Sequence, residues 1–261
     1  MRHIFAIARR ELKSYFASPI AYVVMTIYTA MSGLFFSNML VYYVRQSALA
    51  DRQLQMVGRS DLQLDVPTLV LSQFFGNESF LLMLALPLLT MGLVTDERRK
   101  GTLELLVTSP VRSMELALGK FFGAFSLFGL MLVPTLPMFY FMAQGGEWEP
   151  GMVAAGLLGL LMLAGAEIAL GLLVSSLCEN VLVSAFGTYG LLVALNFIDS
   201  SSSAAQSMWV DFINFFSFTF HYGNATQGLV RLADVVYFGS YLVFALFMTQ
   251  RSIEAIRFKR S

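Results

Sequence analysis

Apolar residues run along this chain in long blocks, interrupted by short polar and charged segments. Six blocks reach or nearly reach the roughly 20 residues that a helix needs to cross a ~30 Å hydrocarbon layer. They lie at about Ile20 to Val44, Phe74 to Thr95, Leu116 to Ala143, Met152 to Leu177, Val181 to Ile198 and Asp234 to Gln250. The last is the weakest, being uncharged only from Val235, although Arg251 can snorkel and Tyr237 and Tyr241 suit a membrane interface. Before the first block, Ile4, Phe5, Ala8, Leu12, Tyr15 and Phe16 recur at helical spacing opposite Arg9, Arg10 and Lys13. That pattern predicts an interfacial amphipathic helix over residues 1–18. Ser18-Pro19 breaks it, because the residue before proline is pushed out of helical geometry; a single longer first helix is the alternative.

Composition agrees with a bilayer environment. Hydrophobic residues make up 57% of the chain and charged residues only 13%, about half the charged share of a soluble domain. The basic N-terminal start resembles a secretory signal, but Ser14 to Val44 is uncharged throughout and no small-residue cleavage site follows, so it reads as a retained anchor. The 17 basic and 17 acidic residues cancel, which gives no argument for nucleic acid as a partner. One cysteine, Cys178, excludes an internal disulfide, and the two histidines, His3 and His221, stand apart with no metal-ligand spacing.

The placement of Lys and Arg sets an expected orientation. With six spans, one side collects thirteen: Arg2, Arg9, Arg10, Lys13, Arg98, Arg99, Lys100, Arg112, Lys120, Arg251, Arg257, Lys259 and Arg260. The other side holds four, Arg45, Arg52, Arg59 and Arg231. The positive-inside rule then puts both termini in the cytoplasm. Met208 to Phe220 is too short for a seventh span and contains Asp211 and Asn214. Its aromatic residues, Trp209 and Phe212 among them, suit either a re-entrant segment in an outer loop over 199–232 or a loop lying on the surface.

The cytoplasmic loop over 96–115 is the most informative polar stretch. Gly101 can end one helix in the left-handed conformation and Thr102 can cap the next. Leu103, Leu105, Leu106 and Val107 would then form a short apolar helix inside a charged loop, closed by Ser109-Pro110. Such a helix suits docking into another protein's groove or lying on the headgroups, and composition leaves both open. The chain carries no phosphate-loop pattern: around Gly119-Lys120, Met114 stands where the first glycine is needed and Phe121 where Ser or Thr is needed. Protease and lipase motifs are missing as well, so no catalytic role is expected.

Glu167 lies near the middle of the fourth block, where an ionisable group costs at least ~2.5 kcal/mol and is a functional candidate. It can serve as a proton or cation site, or as a structural hydrogen-bonding residue. Glu78 and Asp234, placed near outer span ends, read as interface residues. Gly119/Gly123, Ala155/Gly159 and Gly171/Ser175 allow close helix packing, and Pro87, Pro134 and Pro137 are expected to kink spans two and three.

The segments "ARRELKSYFASPIAY", "DERRKGTLELLVTSPVRSMELALGK" and "LGLLVSSLCEN" resemble, in order, those of the type-2 ABC transporter permeases. "FHYGNATQGLVRLADVVYF" further resembles the gliding-motility permease subgroup. The resemblance implies one all-α transmembrane permease domain over 1–261, with six spans, an N-terminal elbow helix, a cytoplasmic coupling helix and a short outer re-entrant segment before the last span. It also implies a bacterial inner-membrane location, pairing with a second permease as homodimer or heterodimer, export, and a separate ABC ATP-binding subunit that carries the ATP. Carried over by position, Glu97, Gly101, Thr102, Leu103, Glu104, Leu105, Leu106 and Pro110 would meet that ATPase. Glu167 has no counterpart in the family motif. A secondary transporter using Glu167, or a non-transporting membrane scaffold of a motility or envelope complex, are the alternatives.

Overall fold

A computed structural model describes residues 2–57, 66–102, 112–145, 150–198 and 215–258, and every regular element among them is helical. In chain order these are α1 (Arg2–Ala17), α2 (Pro19–Val57), α3 (Val66–Thr90), α4 (Thr95–Arg99) and α5 (Ser113–Leu132). A 3₁₀ turn (Val133–Thr135) leads into α6 (Leu136–Gly145), followed by α7 (Pro150–Leu177), α8 (Val181–Phe197), α9 (Phe218–Thr226) and α10 (Leu232–Phe258). Five stretches are long and apolar enough to cross a membrane: Pro19–Gln46, Val70–Arg99, Ser113–Tyr140, Pro150–Leu177 and Leu232–Ile256. The helix Val181–Phe197 is apolar but shorter.

Proline acts at two of the expected places. Pro134 sits in the 3₁₀ turn that divides the third apolar block into α5 and α6, and Pro87 stands one turn before α3 ends at Thr90. The helices close around α7, which packs against α3, α5, α8, α9 and α10. Small residues make those approaches possible. A side chain at Gly159 would collide with Ala225, and one at Gly171 with Thr90.

The amphipathic helix α1 is separate from α2, broken at Ser18 as expected, and it lies along α5. Its inward stripe is the buried Glu11 with the half-buried Ile4, Ile7, Ala8, Leu12 and Tyr15, while Phe5 and Phe16 are exposed. A Cβ on Gly119 would fall 2.6 Å from Ile7, and one on Gly123 2.6 Å from the Glu11 Cβ, so the Gly119/Gly123 pair forms the seat for α1. Ile7 also packs with Leu116, Ala117 and Ile253, which brings α1 and the last turns of α10 to one end of the bundle.

Candidate coupling site

The best-connected polar assembly lies at the end of the bundle that carries α1. Lys120, in the second turn of α5, is fully buried, and such a charge must find partners. Its Nζ donates to the Leu93 carbonyl (2.5 Å) and to Glu11 Oε1 (3.1 Å). It also lies 2.8 Å from Glu97 Oε2, as an ion pair outside hydrogen-bond alignment. Arg10 completes the cluster, with Nη2 donating to Glu11 Oε1 (2.8 Å) and to Glu97 Oε1 (2.7 Å). Two cations and two carboxylates thus tie α1, the α3–α4 turn, α4 and α5 together.

Electrostatics at Glu11 follow from this geometry. Burial alone would raise its carboxyl, but the Lys120 charge and the hydrogen bonds and charge from Arg10 and Lys120 outweigh it and hold it below the ordinary value. The Tyr15 hydroxyl, one turn on, is pushed up by burial and by the Glu11 charge, and it donates to the Leu89 carbonyl at 2.8 Å.

A second set of bonds holds the same turn from the α7 side. Ser175 Oγ accepts from the Val94 and Thr95 N–H groups (3.1 and 3.3 Å) and donates to the Met91 carbonyl (3.0 Å). The Thr95 hydroxyl donates to the Ser175 carbonyl at 2.8 Å. Just beyond, Arg98 donates to Glu179 at 2.7 Å, and Asn180 caps α8 by accepting from the Leu182 N–H at 2.9 Å. Gly101 then adopts φ +69°, the left-handed conformation expected of a helix-ending glycine.

Of the residues expected to meet an ATPase, Glu97, Gly101 and Thr102 are described; Leu103, Glu104, Leu105, Leu106 and Pro110 lie outside the described residues. Glu97 is turned inward onto Arg10 and Lys120, which places it in the root of the loop. Thr102 donates its hydroxyl back to the Glu97 carbonyl at 3.3 Å. Lys120, counted in the sequence as one more loop cation, is the hub of the cluster. The signal for it was its register: Lys120 falls between Gly119 and Gly123 on the face that seats α1.

Glu167 is fully buried in α7. Its Oε1 accepts from Asn196 (3.3 Å), and its Oε2 has no hydrogen-bond partner among the described residues. Glu78 and Asp234 are both buried and hydrogen-bonded; Asp234 stands in the first turn of α10, at a span end as expected, whereas the reading of Glu78 needs correction. Glu78 lies at the middle of α3, which starts at Val66, well before the apolar block, and it accepts from Tyr28 (2.5 Å) and Ser32. Asp234 pairs with His221 Nδ1 at 2.6 Å and accepts from Asn224 at 3.1 Å. The expected re-entrant segment Met208 to Phe220 falls mostly outside the described residues, Trp209 and Phe212 included. The short helix that is described there, α9, lies later in the chain.

A comparison with curated proteins finds no match. Residues 5–261 fit the sequence model of the ABC-2 family transporter proteins, nearly the whole chain. With its several apolar helices and its buried polar joint, this multi-pass membrane protein belongs to the ABC-2 transporter family, whose membrane subunits are not themselves catalytic and generally work with an ATP-binding subunit.

Proposed function

We propose that the chain is the membrane-spanning permease subunit of an ATP-driven exporter in a bacterial inner membrane, resembling the gliding-motility permeases. It crosses the membrane six times with both termini in the cytoplasm, pairs with a second permease, and is moved by a separate ATPase that docks on the loop over 96–115. The observation that carries this reading is the buried joint at the root of that loop. A push on the loop is transmitted through Glu97 to Lys120 and Glu11, and through Thr95 to Ser175, so α1, α5 and α7 move together. A loop that only lay on headgroups would have no use for so many fixed connections at its base.

The test is co-purification of the ATP-binding subunit. Replacing Leu105 and Leu106 together by Asp should abolish it while membrane insertion is retained; unchanged co-purification would overturn the docking reading. A second reading, transport coupled to a bound proton or cation at Glu167, is favoured by a Glu167 Oε2 that has no hydrogen-bond partner among the described residues. It requires substrate movement by the purified chain without an ATPase, lost in Glu167→Gln.

A further inference from the structure

At the end of the bundle opposite α1, a groove of about 720 Å³ runs between the α9 side and the first half of α10. Its volume falls within the range of small-molecule sites and is far larger than a packing defect between side chains. Phe215, Phe216, Tyr237, Tyr241 and Phe244 wall it, and His221 lines it.

His221 is the unusual group. Its ring stacks on Tyr237 with centroids 3.9 Å apart, and Phe215 covers it edge-on. Asp234 lies 2.6 Å from Nδ1, and its other oxygen accepts from Asn224, so the carboxylate is held in place to accept the Nδ1 proton. In the neutral ring this leaves Nε2 as an acceptor. Nε2 is buried and has no hydrogen-bond partner among the described residues, on a side chain only 8% exposed. A buried acceptor left unpaired is destabilising, and a donor supplied from outside would satisfy it.

The route to the groove defines the kind of molecule. Leu232, Val236 and Phe244 are exposed along the same stretch of α10, and α10 is apolar enough to span a bilayer, so an occupant enters from lipid. It needs an apolar body for the aromatic walls and one hydrogen-bond donor for the imidazole. We propose that this groove binds an amphiphile whose headgroup presents a hydroxyl to His221 Nε2, with Phe215, itself 59% exposed, swinging aside to admit it. Binding here is independent of the ATPase reading, since a scaffold could carry the same site.

The full chain in phosphatidylcholine nanodiscs would be photolabelled with a monoacylglycerol carrying a diazirine in its acyl chain, and in parallel with its dimethyl ether, in which both free hydroxyls are methylated. Labels should map to peptides spanning Val236 to Phe244, with the hydroxyl form labelling about five-fold more than the ether, the share of one hydrogen bond. His221→Asn keeps a donor for Asp234 but lacks Nε2 and should erase that preference. Ser240→Trp, which fills the groove, should lower labelling by both probes. The comparison of the two probes on the unaltered chain decides even if a variant fails to fold. Equal labelling by hydroxyl and ether, labelling indifferent to Ser240→Trp in a folded variant, stronger competition by added phosphatidic acid than by unlabelled monoacylglycerol, or a second copy cross-linked over the groove would each overturn the proposal.

Discussion

Lys120 shows how much one side chain can organise. An ammonium with no exposed surface survives because Glu11, Glu97 and the Leu93 carbonyl surround it. Lys120→Met should leave two largely buried carboxylates short of a partner and destabilise the protein by about 3 kcal/mol. Adding Glu11→Gln and Glu97→Gln should return much of that loss, because the cost lies in the unpaired charges; unfolding in mixed micelles measures both. Glu11 adds a pH dependence with a definite sign. Its carboxyl is held below its unfolded value, so its contribution is present at neutral pH and disappears as pH falls through and below the ordinary 4.5. The stability difference between the native chain and Glu11→Gln should therefore shrink on acidification, and a difference that grew would contradict the assignment. None of these partnerships could be seen in the sequence. Glu11 and Lys120 are separated by more than a hundred positions, and only the docking of α1 brings them together.

Among the elements, α1 was the most legible. Its helical period and its end at Ser18-Pro19 follow from the sequence, with Phe5 and Phe16 exposed, but the apolar period leaves out Glu11, which is buried against α5. The reason is physical. A hydrophobic face is read by assuming that acids point to water, and here the acid points at a lysine. Glu78 went astray for a related reason: α3 extends beyond the apolar block, so a residue assigned to a span end sits at mid-helix with Tyr28 and Ser32 for partners. In the "LGLLVSSLCEN" segment the sequence shows only the Gly171/Ser175 pair as a seat for close packing, and the structure supplies the rest. Gly171 admits Thr90, Ser175 holds the α3–α4 turn, the Ser176 carbonyl accepts from Ser252 at 3.1 Å, and Glu179 pairs with Arg98. The seat of α1 is testable at this scale. Gly123→Val would drive a branched side chain into the Glu11 Cβ at 2.6 Å and the Ala8 carbonyl at 3.3 Å, neither of which is a flexible tip. Overpacking of this kind costs about 1–3 kcal/mol and should lift α1 from α5. Trypsin cleavage at Arg9, Arg10 and Lys13 should then accelerate, while Gly129→Val, which meets open space, leaves the rate unchanged.

For the whole molecule, the deciding question is whether α8 crosses. At 17 residues it spans about 25 Å, short of a ~30 Å hydrocarbon layer. Its first turn nevertheless follows the Asn180 cap and the Arg98–Glu179 pair at the α1 end. Its last turn is held by Thr219, whose hydroxyl donates to the Asn196 carbonyl at 2.6 Å, beside α9 at the other end. A helix tied at both ends of the bundle has to traverse it, and the bilayer can thin or the flanking residues can adapt at a cost of fractions of a kcal/mol per Å. On the six-span proposal α8 crosses, and the chain passes the membrane an even number of times. The packing of Ile7 on the cluster of Leu116, Ala117 and Ile253 supports that proposal, because it places α1 and the end of α10 at one end of the bundle. Single cysteines in a Cys178→Ser background would test this with an impermeant maleimide on right-side-out and inverted vesicles. Phe5→Cys at 73% exposure and Arg251→Cys, with 63% of its side chain exposed, should react only in inverted vesicles. Leu232→Cys, at 78% exposure, should react only in right-side-out ones. Reaction of Phe5→Cys and Arg251→Cys from opposite faces would require an odd number of crossings, and a C-terminal end of α10 that could not touch Ile7.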